Sequence, residues 1–496
     1  MKNYDLGTEK IGQLVRHFSV PCVISMLVAA LYNIVDQIFI GWSPAGAFGN
    51  AATNIVYPFT VLALGLSLLV GDGAAAIFSL ESGRKNKDRA DKSVGNGFLL
   101  LIIFSILLCL MGFIFKSQIL KLFGASPEEK VCYDFAVQYF TVICAGLPFY
   151  MIGQGMNASI RADGSPKYAM ACTLAGAMAN LILDPLFIFA FNMGVKGAAI
   201  ATVIGQALTF VMSMTYLFRA KNFKINKNSV HLEASILSRI VSIGMASLIV
   251  QLSIVVIIAV NNNLLSKYGY ETFASTGVAF GSVIPLAVVG IVMKVFGIVV
   301  SIVIGISLGG QPSIGFNMGA GNLERVNETI RTITKIVLAI GTVFFLIFEL
   351  APDFVISLFG KNNSPEYTEY ARLCVRIFLS GIILTCFIKS SAIMLQSLGK
   401  SGKSTLLALL RDVIIFVPSS IILALISHNI VTMLWASLIS DVISFIFAVA
   451  FIMTETRKIT QELSIRFNFE YLIYKPWQGL EGLAKPVPKR SEGMKR

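Results

Sequence analysis

The chain has 496 residues, 55% hydrophobic and 14% charged, with a net charge of +13 and a mean hydropathy of +0.76. Soluble globular domains carry about 25% charged residues, so this composition excludes that class. The basic excess does not indicate a nucleic-acid binder, because Lys and Arg lie in short connections and at the ends instead of on one face of a domain.

Apolar runs long enough to cross a hydrocarbon core of about 30 Å recur along the whole chain. They predict spans at 17–41, 51–80, 93–115, 131–156, 168–192 and 196–219. After a polar linker, further spans are predicted at 236–266, 272–306, 328–350, 370–396, 404–427 and 430–454. The expected fold is all-α and integral to the membrane, with about twelve transmembrane helices. The residues before the first span, Met1 to Arg16, are mixed in charge and no small-residue cleavage site follows the apolar run, so that span reads as retained. The even-numbered connections carry most of the positive charge, among them Arg84, Lys85, Lys87, Arg89 and Lys92, then Arg161 and Lys167, then Arg219, Lys221 and Lys224. The positive-inside rule places those connections and both termini in the cytoplasm of a multi-pass plasma (inner) membrane protein.

An internal repeat organises the spans. Leu122-Phe123-Gly124 and Ser126-Pro127-Glu128 recur as Leu358-Phe359-Gly360 and Ser364-Pro365-Glu366. The turn from Arg161 to Lys167 is answered by the turn from Gln396 to Lys403, and Gly205-Gln206 by Ser440-Asp441. Each half has an even number of spans, so the halves insert the same way up, as parallel repeats do in some secondary transporters. The expected division is an N-lobe of six spans over residues 1–225, a C-lobe of six spans over 226–460, and a basic, mobile cytoplasmic tail over 461–496.

Charges inside spans are costly, about 3 kcal/mol on insertion scales, and call for a function. Asp36 lies about 20 residues, roughly 30 Å, along the first span. Asp184 lies about 24 Å up the fifth, with Asn180 one turn below, and Thr202 about 9 Å below the outer surface on the sixth. These oxygen ligands suit a proton or Na⁺ and not a soft metal. Two close carboxylates resist being charged together, which suits a proton carrier near neutral pH. The alternative is that each is a satisfied packing group. Pro185 follows Asp184 and frees backbone carbonyls in mid-helix. Pro21 is either an ordinary first-turn proline or a bend point, and the two prolines are the candidate hinges. Tyr32, Asn33, Gln206, Lys294 and Asp441 are candidates for the substrate cavity. Lys294 and Asp441 could equally be a structural pair with each other. Asp72, Lys389 and the pair Arg411-Asp412 fall near the inner surface, where solvation, snorkelling or pairing is expected.

Other signals are bland. Seven cysteines form no CxxC pair and read as packing residues, and three histidines lie in separate connections. Gly399-Lys400-Ser401-Gly402-Lys403-Ser404-Thr405 imitates a phosphate loop, but Ser397 stands where its first glycine belongs and no strand precedes it. Gly153 and Gly155 fall within a span, where small residues let helices approach.

Three stretches carry a family likeness: Asn180 to Phe189, Gly194 to Thr202, and Gln311 to Asn322. With the Asp36 segment and the two six-helix halves, the chain resembles the multidrug and toxic compound extrusion (MATE) family over nearly all but its tail. The resemblance implies a non-enzymatic antiporter that exports amphipathic, often cationic, toxic compounds by alternating access, in exchange for H⁺ or Na⁺. It assigns Asp36, Asn180, Asp184 and Thr202 to the cation site, with Tyr139 close by. The seventh span offers Asn261-Asn262-Asn263 and no carboxylate, which speaks against a second-lobe Na⁺ site. The expected partners are small amphipathic substrates and lipids, not nucleic acid, with no cofactor beyond the coupling ion, and the expected state is a monomer. The alternative reading is a lipid-linked oligosaccharide flippase of the same superfamily, which would line its cavity with several basic residues. A channel is a third class, though nothing resembles a pore loop.

Overall fold

The structure, a computed structural model, describes residues 5–124, 130–226, 228–273, 283–357 and 365–478. The repeat segments at 126–128 and 358–364 and the basic stretch 479–496 lie outside the described residues, as does the side chain of Asn33. Every regular element among the described residues is helical, as the bilayer demands of chains whose backbone groups must pair internally. Among the described residues, eleven helices are long and apolar enough to cross a membrane, or twelve when the helix pair bent by 43° near residue 380 counts as one span.

In the first lobe these are α1 (Ile11–Trp42), α2 (Gly46–Gly83), α3 (Lys87–Ile114), the short α4 (Lys116–Leu122), α5 (Lys130–Ala162), α6 (Pro166–Pro185) and α7 (Gly194–Leu217). The second lobe has α8 (Ala234–Phe273), α9 (Val283–Ala320), α10 (Leu323–Leu350), α11 (Pro352–Ser357), α12 (Pro365–Leu379), α13 (Ile382–Ser397), α14 (Ser401–Leu409), α15 (Val417–Ser427) and α16 (Ile430–Gln478). The expected spans all have helical counterparts, but many helices are longer. α1 begins at Ile11, so His17 is in a helix and not a connection. α9 runs through Pro312 to Ala320 instead of ending at 306, because apolar and small residues continue to pack against α2 beyond the proline. α16 continues to Gln478, well into the stretch expected to be tail.

The repeat is visible in the backbone. Left-handed residues close equivalent turns in pairs: Lys85 with Gly321, Gly164 with Gly399, and Asn192 with His428, the partners about 235 residues apart in the sequence. Gly164 and Gly399 end α5 and α13 in a conformation that a side chain would strain. The imitation phosphate loop is this second turn, between two membrane helices.

The end of the bundle that carries the basic connections is packed tightly between the lobes. Residues 69–81 of α2 and 305–315 of α9 are buried without interruption. Glycines allow the contact: Gly305 and Gly309 of α9 abut the backbone of Val23 and Ser19 on α1, Gly73 abuts Ile240, and Gly244 abuts Leu69. Polar links reinforce it, with Arg239 of α8 pairing with Glu81 of α2 at 2.9 Å and Ser247 of α8 donating to Asp72 of α2 at 2.8 Å. The first turns of α1, including Leu14 and Phe18, are buried in the apolar core of the second lobe. Arg325 and Asn317 hold the carbonyl of Leu6 just before that helix.

Candidate functional site

Tight contact between α6 and α7 builds the site. Gly176 and Gly205 face each other so closely that a Cβ on either would meet the other's carbonyl. This brings Asn180 on α6 beside Thr202 on α7, and the Asn180 amide donates to the Thr202 hydroxyl at 3.3 Å. The same amide nitrogen donates to Asp184 Oδ1, one turn further on, at 3.1 Å. Pro185 then ends the regular helix, and residues Leu186–Ala190 form a wide π turn in which Phe191 N–H reaches back to the Leu186 carbonyl at 3.0 Å.

From α1, Asp36 brings its carboxyl within hydrogen-bonding reach of Asp184. Tyr139 of α5 is buried beside them, with its hydroxyl on Thr202 and the phenol of Tyr32 nearby. The four oxygen-bearing residues expected at one depth, with Tyr139, therefore form one buried cluster. Asp184 is 1% exposed and Asp36 is half-buried with its Oδ1 covered, so bulk water screens the two acids only weakly. Two carboxyls this close in a dry site have to share a cation. The donor chemistry fits one: Asp36 Oδ1 and the Gln206 side-chain oxygen, one turn along α7 from Thr202, are buried and receive no hydrogen bond from a described residue. Among the described residues no group of three or more His, Cys, Asp or Glu side chains converges, so nothing there resembles a transition-metal site. None of the seven cysteines is in a disulfide, and all but Cys109 are buried.

Other expected positions differ. Lys294 and Asp441 do not pair. Asp441 is buried and accepts from Arg411 Nε at 2.9 Å, while Lys294 is exposed on α9. Arg411 and Asp412 are not at the inner surface. Both sit in a second π turn, Leu410–Phe416, buried in the second lobe. There Arg411 bonds Asp412 at 2.8 Å and Lys389 bonds Asp412 at 2.5 Å. Two cations and two anions cancel, which lets four charges sit in the lobe core without an ion. Asp72 is likewise buried instead of solvated, because α8 of the other lobe covers it. It accepts from Ser247 at 2.8 Å and faces Arg161 at 3.7 Å. The sequence reading missed the four-charge network of Lys389, Arg411, Asp412 and Asp441, although Arg411 lies about 10 Å into its span, a signal that depth arithmetic exposes.

The family model described as MatE matches residues 21–186 and 260–422. The multidrug export protein MepA of Staphylococcus aureus is 24% identical over 443 residues, covering 88% of this chain and 92% of MepA. Among solved structures, a MATE crystal structure in complex with MaL6 superposes with a TM-score of 0.84 at 21% identity, over 93% of this chain and 100% of that one. A MOP superfamily transporter from Pyrococcus furiosus, described as having a binding pocket of reverse polarity, gives 0.83 at 21% identity, over 93% and 99%. The family match spans both lobes and includes the Asp36 and Asp184 segments, and the solved structures share the fold. The chain thus belongs to the MatE family, whose members are membrane transporters and not enzymes.

Proposed function

We propose that this protein is a multidrug exporter that moves amphipathic organic compounds outward in exchange for H⁺ or Na⁺. The observation that carries the reading is the buried Asp36–Asp184 pair, supported by Asn180, Thr202 and Tyr139 in one lobe. It holds one exchangeable cation, while the lobes are packed closely over their basic halves. Alternating access follows if that contact opens when the far halves close. The resemblance to MepA, named a multidrug export protein, supports the direction and substrate class. Pro21 and Pro185 are the bend points in this scheme. The N-lobe extends to residue 225, the C-lobe to 460, and the chain works as a monomer in the plasma membrane with its basic end and both termini in the cytoplasm. It needs no cofactor besides the coupling ion, and its other partners are its substrates and the surrounding lipid.

Dye efflux from proteoliposomes under separately imposed pH and Na⁺ gradients tests this. One gradient should drive efflux, and Asp36→Asn should abolish the driven component while the protein still folds. Gradient-independent efflux, or wild-type coupling in the Asn variant, would overturn the reading. Transport of lipid-linked sugars alone would favour a flippase. Against that alternative, Lys389 and Arg411 are turned into the second-lobe core and pair with acids there, so they are not cavity cations.

A further inference from the structure

Charge is sorted unequally between the two sides of α1. Over residues 26–62, 248–265 and 288–304, in the far parts of α1, α2, α8 and α9 and short of Lys267 near the end of α8, the charged side chains are Asp36 and Lys294 and no others. Asp36 points into the first lobe at Asp184. Lys294 points the other way, into the space between the lobes.

Helix geometry on α9 gives that direction. Phe296 faces the second-lobe core, against the Phe378 ring at 5.9 Å and the Arg411 guanidinium at 5.2 Å. At 100° per residue, Lys294 lies on the opposite side, in line with Gly305 about three turns on. Gly305 and Gly309 are where α9 touches α1 of the other lobe. Nearer the far end the same side is open among the described residues: a Cβ on Gly290 or Gly297, one turn either side of Lys294, would meet none of their atoms within 4 Å. Lys294 is exposed there, and none of the ion pairs among the described residues includes it.

The facing wall is apolar. Pairing of Ser19 with Gly309 and of Val23 with Gly305 puts Ile34 level with Lys294, and Leu31 and Ile38 on that side are 50% and 41% exposed. α8 adds the neutral Gln251 and Asn262 on the face that carries Gly244.

We infer that the cleft between the lobes recognises amphiphiles through an anionic group, with Lys294 as its counter-charge and the Leu31–Ile34–Ile38 wall taking the apolar body. This rests on the export reading above and narrows its substrate class. A purely cationic compound meets a like charge at Lys294, whereas a carboxylate or a zwitterion replaces part of the hydration that Lys294 loses on binding. The coupling cation stays behind α1 on Asp36 and Asp184, so the ion and the substrate's anionic group are held by different lobes.

A matched dye pair tests this. Rhodamine 6G is a cationic ester, and rhodamine 19 is the same dye with a free carboxylate. Fluorescence anisotropy on the purified protein should show rhodamine 19 binding about tenfold tighter than rhodamine 6G, the difference one well-placed ion pair supplies. Lys294→Gln should remove that preference, Lys294→Glu should reverse it, and Lys294→Arg should retain it. Asp36→Asn should bind both dyes as wild type does while failing to export, which separates this proposal from the coupling reading. Equal affinities in the wild type, no binding of either dye, or a preference unchanged in the Gln and Glu variants would each overturn it.

Discussion

The hydroxyl of Ser19 donates to the carbonyl of Ile306 at 3.0 Å, a bond between the lobes that joins residues 287 apart in the chain. It lies where Gly309 lets the α1 backbone come within contact of α9. A side chain at 309 has backbone to displace and no room to turn. Gly309→Val should therefore hold the basic end open. With Ser79, buried at the contact between α2 and α9, replaced by cysteine in a background without the native cysteines, adding Gly309→Val should raise maleimide labelling about tenfold, the response to a shift of about 1.4 kcal/mol. An unchanged labelling rate would show that the contact does not control closure.

Asn180 holds Asp184 and Thr202 with one amide nitrogen. Hydrogen bonds to charged groups contribute about 1.5–3 kcal/mol. Asn180→Ala should slow gradient-driven efflux by about tenfold or more while leaving dye affinity near wild type. Parallel efflux and binding measurements check it, and equal losses in both would assign Asn180 to substrate binding instead.

Removing one member of the second-lobe charge network strands its partners. Arg411→Met leaves Asp441 without its bonded cation and should destabilise the protein by about 3–5 kcal/mol. Arg411→Met combined with Asp441→Asn removes both charges and should recover much of that loss. Thermal unfolding in detergent reads both. A double variant no more stable than the single would mean that packing, not charge, dominates at this site.

Asp163 pins the linker between the lobes. Its carboxylate accepts from the Tyr216 hydroxyl at 2.6 Å and from the backbone N–H groups of Lys221 and Asn222, each at 2.8 Å. Asp163→Ala leaves three donors to find water, at about 1–3 kcal/mol for each that stays buried. Trypsin should then cut at Lys221 or Lys224 faster than in the wild type, with Asp163→Asn intermediate. Resistance equal to wild type would show that other contacts hold the linker.

The sequence by itself determined the membrane class, the number of helices, the repeat and the depth of the buried acids. Length, hydropathy and rise per residue are one-dimensional quantities, and they carried Asp36, Asn180, Asp184 and Thr202 to one level. Only the tertiary structure decided which way side chains at equal depth face. Lys294 and Asp441 could have been cavity groups or a pair along the chain, yet Lys294 is exposed on α9 and Asp441 is buried in a lobe core on Arg411. Asp72 looked solvated because its cover comes from α8, far away in sequence. Depth follows from counting along one helix, whereas rotation and partnership depend on where neighbouring helices touch. Here that is governed by glycine contacts such as Gly176 with Gly205 and Gly309 with Ser19, which no periodicity along a single helix reveals.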